Sequence, residues 1–305
     1  MAEFRTLLDL TTAVPDEDAA IAHFTAIRWK GGAFCPYCAG RKIYTFADKK
    51  THKCAAKDCG KRFSIKVGTV FEDSKVPIRK WLMAIWLLTS HKKGVASTIL
   101  ARDVGVTQKT AWFMLHRLRH AAVTKSFNAP LAGTVEADET FVGGKEKNKH
   151  ASKRAGGTQG GKGKAVVFGM VERGGDLRMM HVPDLKARNV QGAIGRHVAP
   201  GSNVMTDEHT SFVGLQGSYN HRTVNHAKGE FVRHFVLHTN TIEGAWSLLK
   251  RQIVGIHHFV SAKHLSRYVA EAEWRYNRRK AADAARVDAL IAGSDGRLKY
   301  KALIA

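Results

Sequence analysis

The sequence predicts a mixed α/β protein of the α+β type, in which two small modules precede a larger domain of strands and helices. Three observations support this prediction. All four cysteines lie in one short segment near the N-terminus. Helical periodicity follows them, and strand patterns begin only later and then alternate with helical ones. We therefore expect three regions, at residues 20–70, 76–124 and 130–285.

The charge balance indicates which partners the protein meets. The chain has 305 residues, of which 49 are Lys or Arg and 26 are Asp or Glu, giving a net charge of +23. Such a surplus favours polyanions, because each neutralised phosphate releases condensed counterions. The longest apolar run, from Trp81 to Leu88, is too short for a bilayer, which needs about 20 residues, and no signal peptide is evident. We expect a cytoplasmic protein that binds nucleic acid and no membrane, although a merely basic surface is the simpler alternative.

The cysteines form two close pairs. Cys35 and Cys38 have C-x2-C spacing, and Cys54 and Cys59 have C-x4-C spacing. Four thiolates on two turns can occupy the corners of a tetrahedron, as one structural Zn²⁺ requires. Short strands predicted around 43–46 and 63–67 complete a zinc ribbon. Two disulfides are the alternative, but nothing indicates an oxidising compartment.

The second region has the periodicity of three helices. The first starts at Pro77, the second runs from Val95 to Val104, and the third follows a turn at Gly105 and a cap at Thr107. This pattern is typical of a helix-turn-helix DNA reader, although any three-helix core gives similar periodicity. On the third helix we expect a buried stripe of Ala111, Met114, Leu115 and Leu118. We expect outward side chains at Gln108, Lys109, Trp112, His116 and Arg119, of which Gln108 and Lys109 are candidate DNA contacts.

The third region begins with three strands, 134–142, 164–172 and 177–182. A helix (186–198), a strand (203–206), a short helix, a strand (220–226) and a long helix from Asn240 follow. This order, β-β-β-α-β-α-β-α, is that of the ribonuclease-H-like fold. In such a sheet the first and fourth strands are neighbours.

Three acids lie in or directly beside elements of this order. Asp138 lies in the first strand, Asp207 ends the fourth and Glu243 opens the long helix. Carboxylate oxygens are the ligands that Mg²⁺ and Mn²⁺ prefer. Two such ions about 3.5–4 Å apart can activate the attacking oxygen and stabilise the leaving oxygen of a displacement at phosphorus. The sequence therefore predicts a two-metal catalytic site.

Each acid also has a structural alternative. Asp207 could cap the helix that follows, and Glu243 fits a capping box of its own helix. Asp138 could be a solvent-facing strand residue, with Glu136 on the same face and Glu139 on the opposite one. The catalytic interpretation depends on the three acids occurring together.

Four segments resemble one family. They are VEADETFVGGK at 135–145, TDEH at 206–209, HTNTIEGAWSLLKR at 238–251 and RYNRR at 275–279. With the cysteine pattern ahead of them, they resemble the ISXO-like DDE transposases of bacterial insertion sequences. The resemblance spans about residues 20 to 280.

This resemblance implies an activity and partners. It implies cleavage at the ends of a transposon and strand transfer into target DNA, both at one metal site. It implies double-stranded DNA as substrate, a homo-oligomer of at least two subunits on that DNA, and a nucleoid-associated protein of the bacterial cytoplasm. Lys250, two turns beyond Glu243, could hold a phosphate near the metals or be an ordinary surface charge.

Two further sets of basic residues are candidate DNA contacts. The glycine-rich loop from 143 to 164 contains Lys145, Lys147, Lys149, Lys153, Arg154, Lys162 and Lys164 against the single acid Glu146. Its alternative role is a flexible hairpin connection with incidental charge. The helical segments contribute Arg251, Arg275, Arg278 and Arg279.

Two rival functions remain at this level. A transcription regulator would use the zinc ribbon and the helix-turn-helix module to bind DNA and would have an inert second half. A nuclease would cut DNA without joining it. A regulator would not cleave transposon ends in a metal-dependent reaction, whereas both enzymes would. Joining of the cleaved ends to target DNA would distinguish a transposase from a nuclease.

Overall fold

The computed structural model describes residues 4–123, 129–144, 148, 150–153, 161, 163–224 and 238–304. The chain forms two compact units. The first comprises Met1–Lys125 together with Lys280–Ala305, and the second comprises Ser126–Arg279. The chain therefore returns to its first unit at the C-terminus, whereas the sequence analysis extended the third region to residue 285.

The first unit opens with two helices that the sequence analysis did not predict, α1 (Leu7–Ala13) and α2 (Glu17–Arg28). Thr6 caps α1 through a capping box with Asp9, and the Asp16 side chain caps α2. Both caps satisfy amides that a first helical turn leaves without partners. Phe24 of α2 is fully buried and packs edge-on against Phe71.

A small sheet follows, with the antiparallel order β1 (Ile43–Thr45), β2 (Thr51–Cys54) and β3 (Arg62–Ser64). Its core consists of Cys35, Cys54 and Phe63. So small a core needs a further constraint to be stable. Cys54 ends β2, whereas the other three cysteines lie in the turns around the sheet.

Helices α3 (Ile78–Ser90), α4 (Ser97–Val104) and α5 (Gln108–Ala122) complete this part of the unit. Gly105 ends α4 in the left-handed conformation, with φ of 63°, which glycine adopts without steric cost. The Thr107 side chain caps α5. The predicted stripe of α5 is buried: Ala111, Met114, Leu115 and Leu118.

Two predictions for α5 were wrong. His116 and Arg119 are 0% and 1% exposed, whereas the periodicity placed them outward. The C-terminal segment returns to this unit, where α9 (Asp283–Ala292) and α10 (Tyr300–Ile304) also pack against α5. A helix covered from more than one side has more than one buried face.

The second unit is built on a five-stranded sheet. Its strands are β4 (Thr134–Val142), β5 (Ala165–Glu172), β6 (Leu177–Val182), β7 (Asn203–Thr206) and β8 (Asn220–Thr223). They lie in the order β6-β5-β4-β7-β8. The β4-β5-β6 part is antiparallel, and β7 and β8 continue from β4 in parallel. The expected adjacency of the first and fourth strands of this region is confirmed.

Helices cover both faces of this sheet: α6 (Ala187–His197) on one, and α7 (Asn240–Gln252) and α8 (Ala262–Asn277) on the other. Val135 and Ala137 of β4 pack on the α6 side, while Val167 and Val171 of β5 pack against α7 and α8. A π-helical turn (Ile253–His257) ends α7. None of the helices in the described part of the chain has the length and apolar character needed to span a bilayer.

Candidate functional site

The four cysteines converge in the small sheet. They form no disulfide, and their four Sγ atoms all lie within 4.8 Å of one another. The Sγ atoms of Cys35 and Cys59 are 3.8 Å apart, and those of Cys38 and Cys54 are 3.5 Å apart. A tetrahedral site with Zn–S bonds of about 2.3 Å has S···S edges of about 3.8 Å. The donor set and its spacing therefore fit a structural zinc ion.

A second cluster lies in the large sheet and consists of carboxylates. Asp138 lies on β4, and Asp207 directly follows β7. Glu136 pairs with Met205 in the parallel register of these strands, so its continuation brings Asp138 beside Asp207. One carboxylate oxygen from each of Asp138, Glu139 and Asp207 lies within 4.8 Å of the others. Hard divalent cations need such oxygen ligands.

Glu139 is a member that the sequence analysis missed. Strand alternation placed its side chain on the face opposite Asp138. Because β7 ends at Thr206 while β4 runs on to Val142, the edge of β4 beside these acids is open, and both reach Asp207. The Oε2 atom of Glu139 is buried without a hydrogen-bond partner among the described residues, which suits an oxygen that binds a cation.

The electrostatics of this cluster favour a cation. Burial above all, together with the charges of Asp207 and Glu243, raises the pKa of Asp138 to about 6, although the hydrogen bonds from Trp246 and the backbone act to lower it. Burial also raises the pKa of Glu139 to about 7, with Asp207 and Asp138 adding to it. Crowded, half-desolvated carboxylates disfavour one another's charged forms. A divalent ion removes that penalty.

Helix α7 contacts this cluster through Trp246. The buried indole donates a hydrogen bond from Nε1 to Oδ2 of Asp138 over 2.8 Å. Glu243 lies one turn earlier and is exposed. Its carboxylate is not one of the three that converge within 4.8 Å, but its charge helps to raise the pKa of Asp138.

The capping box suggested for Glu243 does not form. The N-cap of α7 is Thr239, and no side-chain hydrogen bond of its own caps that helix. Instead the Thr239 hydroxyl donates to Oε1 of Glu243 over 3.1 Å. Asp207 accepts a hydrogen bond from the His209 amide over 3.1 Å. Asp207 therefore stabilises the local turn in addition to belonging to the acidic cluster.

Glu136 differs from the sequence expectation. It is 0% exposed, although it was interpreted as a solvent-facing neighbour of Asp138. Its carboxylate accepts hydrogen bonds from the amides of Thr241 and Ile242 at the start of α7. No local pattern could reveal this contact, because more than a hundred residues separate the partners.

The predicted DNA-contacting residues of the helices are mostly at the surface. Lys250 and Arg251 are exposed at the end of α7, and Gln108 and Lys109 are exposed at the start of α5. The amide of Gln108 donates to the Ser97 hydroxyl over 2.9 Å. These side chains are therefore accessible to a phosphate backbone.

The arginines at the end of α8 and just after it interact within the protein. Arg275 is buried, where its guanidinium pairs with Glu271 and donates to Oε1 of Gln252. It therefore packs the core of the unit instead of facing DNA. Arg278 stacks over Trp274 at 4.7 Å, and Arg279 donates to the Gly175 carbonyl over 3.1 Å.

Two of the candidate basic residues of the glycine-rich loop lie among the described residues. Lys164 is half-buried beside β5, and Lys153 lies in a short 3-10 turn, Ala151–Lys153. The other candidates fall outside the described residues: Lys145, Lys147, Lys149, Arg154 and Lys162.

Comparison with known proteins agrees with both clusters. Residues 130–277 match the ISXO2-like transposase domain, and residues 15–62 match the transposase zinc-ribbon domain of the same group. A relative is an uncharacterized protein in the transposable element ISH50 of Halobacterium salinarum. It is 28% identical over 286 residues, which cover 88% of this chain and 93% of the relative.

A DDE domain of this type is ribonuclease-H-like and belongs to a DNA-cleaving enzyme, in agreement with the sheet order and the acidic cluster. The chain thus belongs to the ISXO2-like transposases of insertion sequences.

Proposed function

We propose that the protein cuts the ends of its transposon and joins the freed 3′-hydroxyls to target DNA at one divalent-metal site. The observation that carries this proposal is the convergence of Asp138, Glu139 and Asp207 at the open edge of a strand. Both steps are phosphoryl transfers that differ only in whether water or a DNA hydroxyl attacks, so one site can serve both.

Asp138, Asp207 and Glu243 are the proposed ligands of two Mg²⁺ or Mn²⁺ ions, with Glu139 as a further ligand. When bound, the ions supply activation of the attacking oxygen and stabilisation of the leaving one. Trp246 orients the Asp138 carboxylate by its hydrogen bond. Glu243 is exposed at the start of α7, where its Oε1 accepts a hydrogen bond from the Thr239 hydroxyl; a change of rotamer on metal binding would bring its carboxylate to the other ligands.

Lys250 is proposed to hold a DNA phosphate. It lies two turns after Glu243 on α7 and therefore on nearly the same helix face, and it is exposed. An ammonium group there would position the phosphate backbone without reading its sequence.

The remaining modules are proposed to bind double-stranded DNA. Helices α4 and α5 have the short turn and the exposed polar start of a helix-turn-helix, with Gln108 and Lys109 facing outward. The region 20–70 would act as a ribbon around one Zn²⁺, the region 76–124 as the DNA reader and the region from 130 as the catalytic domain. Two or more subunits would act on paired DNA ends in the cytoplasm.

The transcription regulator is the less favoured alternative. An inert second half would have no need of three acids whose ligand atoms lie within 4.8 Å of one another. The convergence therefore favours an enzyme.

The test is a joining assay. Purified full-length protein is incubated with DNA carrying the flanking terminal repeats and Mg²⁺, and joined products are sought. We expect joining by the unmodified protein, and loss of cleavage and joining in Asp138→Asn, Asp207→Asn and Glu243→Gln with DNA binding retained, because each change removes a charge that a hard cation needs.

The matched control is Glu208→Gln. Glu208 directly follows Asp207 but is exposed and lies outside the cluster, so this variant should cleave normally. Cleavage without joined products would indicate a nuclease, and DNA binding without cleavage would indicate the regulator. Normal joining by Glu243→Gln would remove Glu243 from the ligand set.

A further inference from the structure

The start of α7 is capped from a distant strand. Its N-cap, Thr239, makes no capping hydrogen bond with its side chain. The amides of Thr241 and Ile242 instead donate to Oε2 of Glu136 over 2.8 and 3.0 Å. The Thr241 hydroxyl donates to Oε1 over 2.9 Å. A carboxylate suits this place because the N-terminus of a helix carries partial positive charge.

Arg173 ties the same carboxylate to the segment that leads into α7. Its Nε donates to Oε1 of Glu136 over 2.7 Å, and its Nη2 donates to the His238 carbonyl over 2.8 Å. The Glu136 side chain is 0% exposed, and Nδ1 of His238 lies 3.2 Å from its Oε1. A buried charge is tolerated only when it is paired and hydrogen-bonded, and here each carboxylate oxygen has at least two partners.

This network links the two elements that carry the first and third acids. Glu136 precedes Asp138 by two residues on β4 and shares its face of the sheet. Ile242, which donates to Glu136, directly precedes Glu243 on α7. Apolar packing alone would tolerate a small rotation or slide of α7. Hydrogen bonds from two successive amides to one oxygen resist such a movement, because their strength depends on direction.

We infer that Glu136 is a positioning residue of the catalytic site, which fixes the rotation of α7 on β4 and so sets the place on α7 from which Glu243 can reach the metal site beside Asp138. The inference rests on the proposed function. Glu136 is not placed in contact with substrate, because Thr241, Ile242 and Arg173 already bind both of its oxygens. Its effect on metal binding is exerted through Glu243.

The chain offers a matched control for this role. Glu17 also caps a distant helix: its Oε1 and Oε2 accept from the amides of Ile78 and Arg79 over 2.8 and 3.0 Å. The helix it caps, α3, likewise has no side-chain cap of its own. Glu17 belongs to the first unit, whereas the acidic cluster belongs to the second. Glu136→Gln and Glu17→Gln therefore remove the same kind of cap.

The experiment measures Mn²⁺ binding to zinc-loaded, full-length protein without DNA, by electron paramagnetic resonance of the free ion. Both variants should lower the free energy of unfolding. Only Glu136→Gln should weaken Mn²⁺ binding, by about 10–100-fold, as is typical when a residue that orients ligands is removed. Its cleavage should recover at raised Mn²⁺, since the ligands themselves remain.

Glu136→Asp provides a second variant that keeps the charge in case Glu136→Gln does not fold. Its carboxylate is one methylene shorter and cannot reach both α7 amides, so Mn²⁺ binding should again weaken. Mn²⁺ affinity equal to that of Glu17→Gln in whichever variant folds would overturn the inference. If Asp138→Asn also binds Mn²⁺ normally, the proposed metal site fails as well. If Asp138→Asn alone loses binding, the site stands and only the role of Glu136 is lost.

Discussion

Trp246 and Asp138 form a hydrogen bond of 2.8 Å that joins α7 to the central strand of the sheet. The ring lies over Gly169, which pairs with Asp138 across β4 and β5. A side chain at that position would collide with the ring, because a Cβ on Gly169 would be 2.5 Å from Cη2 of Trp246. The absence of a side chain on one strand thus allows an indole to reach a carboxylate on the next.

The first prediction concerns this hydrogen bond. Trp246→Phe keeps an aromatic ring against the sheet but removes the donor. Hydrogen bonds to charged groups contribute about 1.5–3 kcal/mol, so the free energy of unfolding should fall by about that amount. End cleavage should fall by about 10–100-fold, because the Asp138 carboxylate loses its orienting partner. Denaturant unfolding and a cleavage assay measure the two effects.

Trp81→Phe is the control for lost ring volume. Trp81 is 1% exposed in the first unit, and its Nε1 has no hydrogen-bond partner among the described residues. This variant should lose stability through packing while cleavage per folded molecule stays near normal. Equal loss of cleavage in both variants would show that ring volume, not the hydrogen bond, matters.

The second prediction concerns Gly169. Gly169→Ala forces the buried Trp246 ring away from the sheet, since the new methyl would lie 2.5 Å from it. Overpacking of this kind costs about 1–3 kcal/mol, and we expect cleavage to fall with the displaced indole. Gly195→Ala on α6 is the opposite control: nothing lies within 4 Å of its Cβ position, so helix propensity should stabilise the protein by about 0.5–1 kcal/mol. Normal cleavage by Gly169→Ala would show that the ring need not stay in place.

The sequence predicted the sheet and two of its acids for a simple reason. Strand order follows from element order when a parallel strand returns beside the first one. Asp138 and Asp207 could therefore be placed as neighbours, and the parallel pairing of β4 with β7 agrees. Four closely spaced cysteines predicted their own cluster equally well.

What the sequence could not provide is long-range contact. Alternation placed Glu139 and Asp138 on opposite faces of β4, and the pairing of β4 with β5 agrees. What it could not show is that both acids reach Asp207, because the early end of β7 is visible only in the sheet. Glu136 looked like a surface acid, because its partners on α7 lie more than a hundred residues later. A polar residue at a helix-facing position of a central strand was the available signal.

Helical periodicity failed for a related reason. It identifies one buried face, whereas His116 and Arg119 are buried on another face of α5. Arg275 likewise looked like a DNA contact on charge alone, but its partner Glu271 is one turn away on the same helix. An acid four residues before an arginine is the local sign of such a pair.

The third prediction concerns the basic loop. Replacing Lys145, Lys147 and Lys149 with Gln should weaken binding to unrelated DNA almost as much as binding to the transposon ends, because phosphate contacts do not specify sequence. The slope of log K against log salt should become shallower by up to about 2.7, at about 0.9 per phosphate contact. Titrations by fluorescence anisotropy at several salt concentrations measure this slope.

The control for net charge removes three exposed basic residues of α6 and its N-cap: Lys186→Gln, Arg188→Gln and Arg196→Gln. These lie on the helix that covers the sheet face opposite α7. If both triple variants change the slope equally, overall charge and not the loop determines DNA binding.

The fourth prediction concerns the cysteine cluster. Protein purified without chelator should contain one zinc per chain, and Cys54→Ser should abolish it, because three thiolates leave the tetrahedron open. Since metal binding and folding are coupled in small modules, the ribbon should unfold and end binding should weaken. Elemental analysis and circular dichroism measure the two effects. Full binding of DNA ends by zinc-free protein would contradict a structural zinc.

The last prediction concerns Glu273 of α8, which lies outside the acidic cluster. Burial raises the pKa of Glu273 to about 7, although the Met179 amide, which donates to it over 2.7 Å, and Arg178 act against this. In the unfolded chain a glutamate titrates near about 4.3. The folded state therefore favours the neutral acid. The stability that the neutral Glu273 carboxyl contributes is fully present below the pKa of Glu273 in the unfolded chain. It is lost as the pH rises through the pKa of Glu273 in the folded protein.

Glu273→Gln keeps an oxygen for the Met179 amide and cannot ionise. Relative to the unmodified protein, this variant should gain about 3 kcal/mol as pH rises from about 4.5 to 7.5. Denaturant unfolding across that range measures the gain, and the difference between the two proteins cancels every other titrating group.

Asp184→Asn is the control of opposite sign: the Lys186 amide holds the pKa of Asp184 below its ordinary value, so Asp184 is ionised in both states over most of that range. Its difference from the unmodified protein should be nearly flat above about pH 5. A flat difference for Glu273→Gln as well would mean that Glu273 reaches solvent when it ionises.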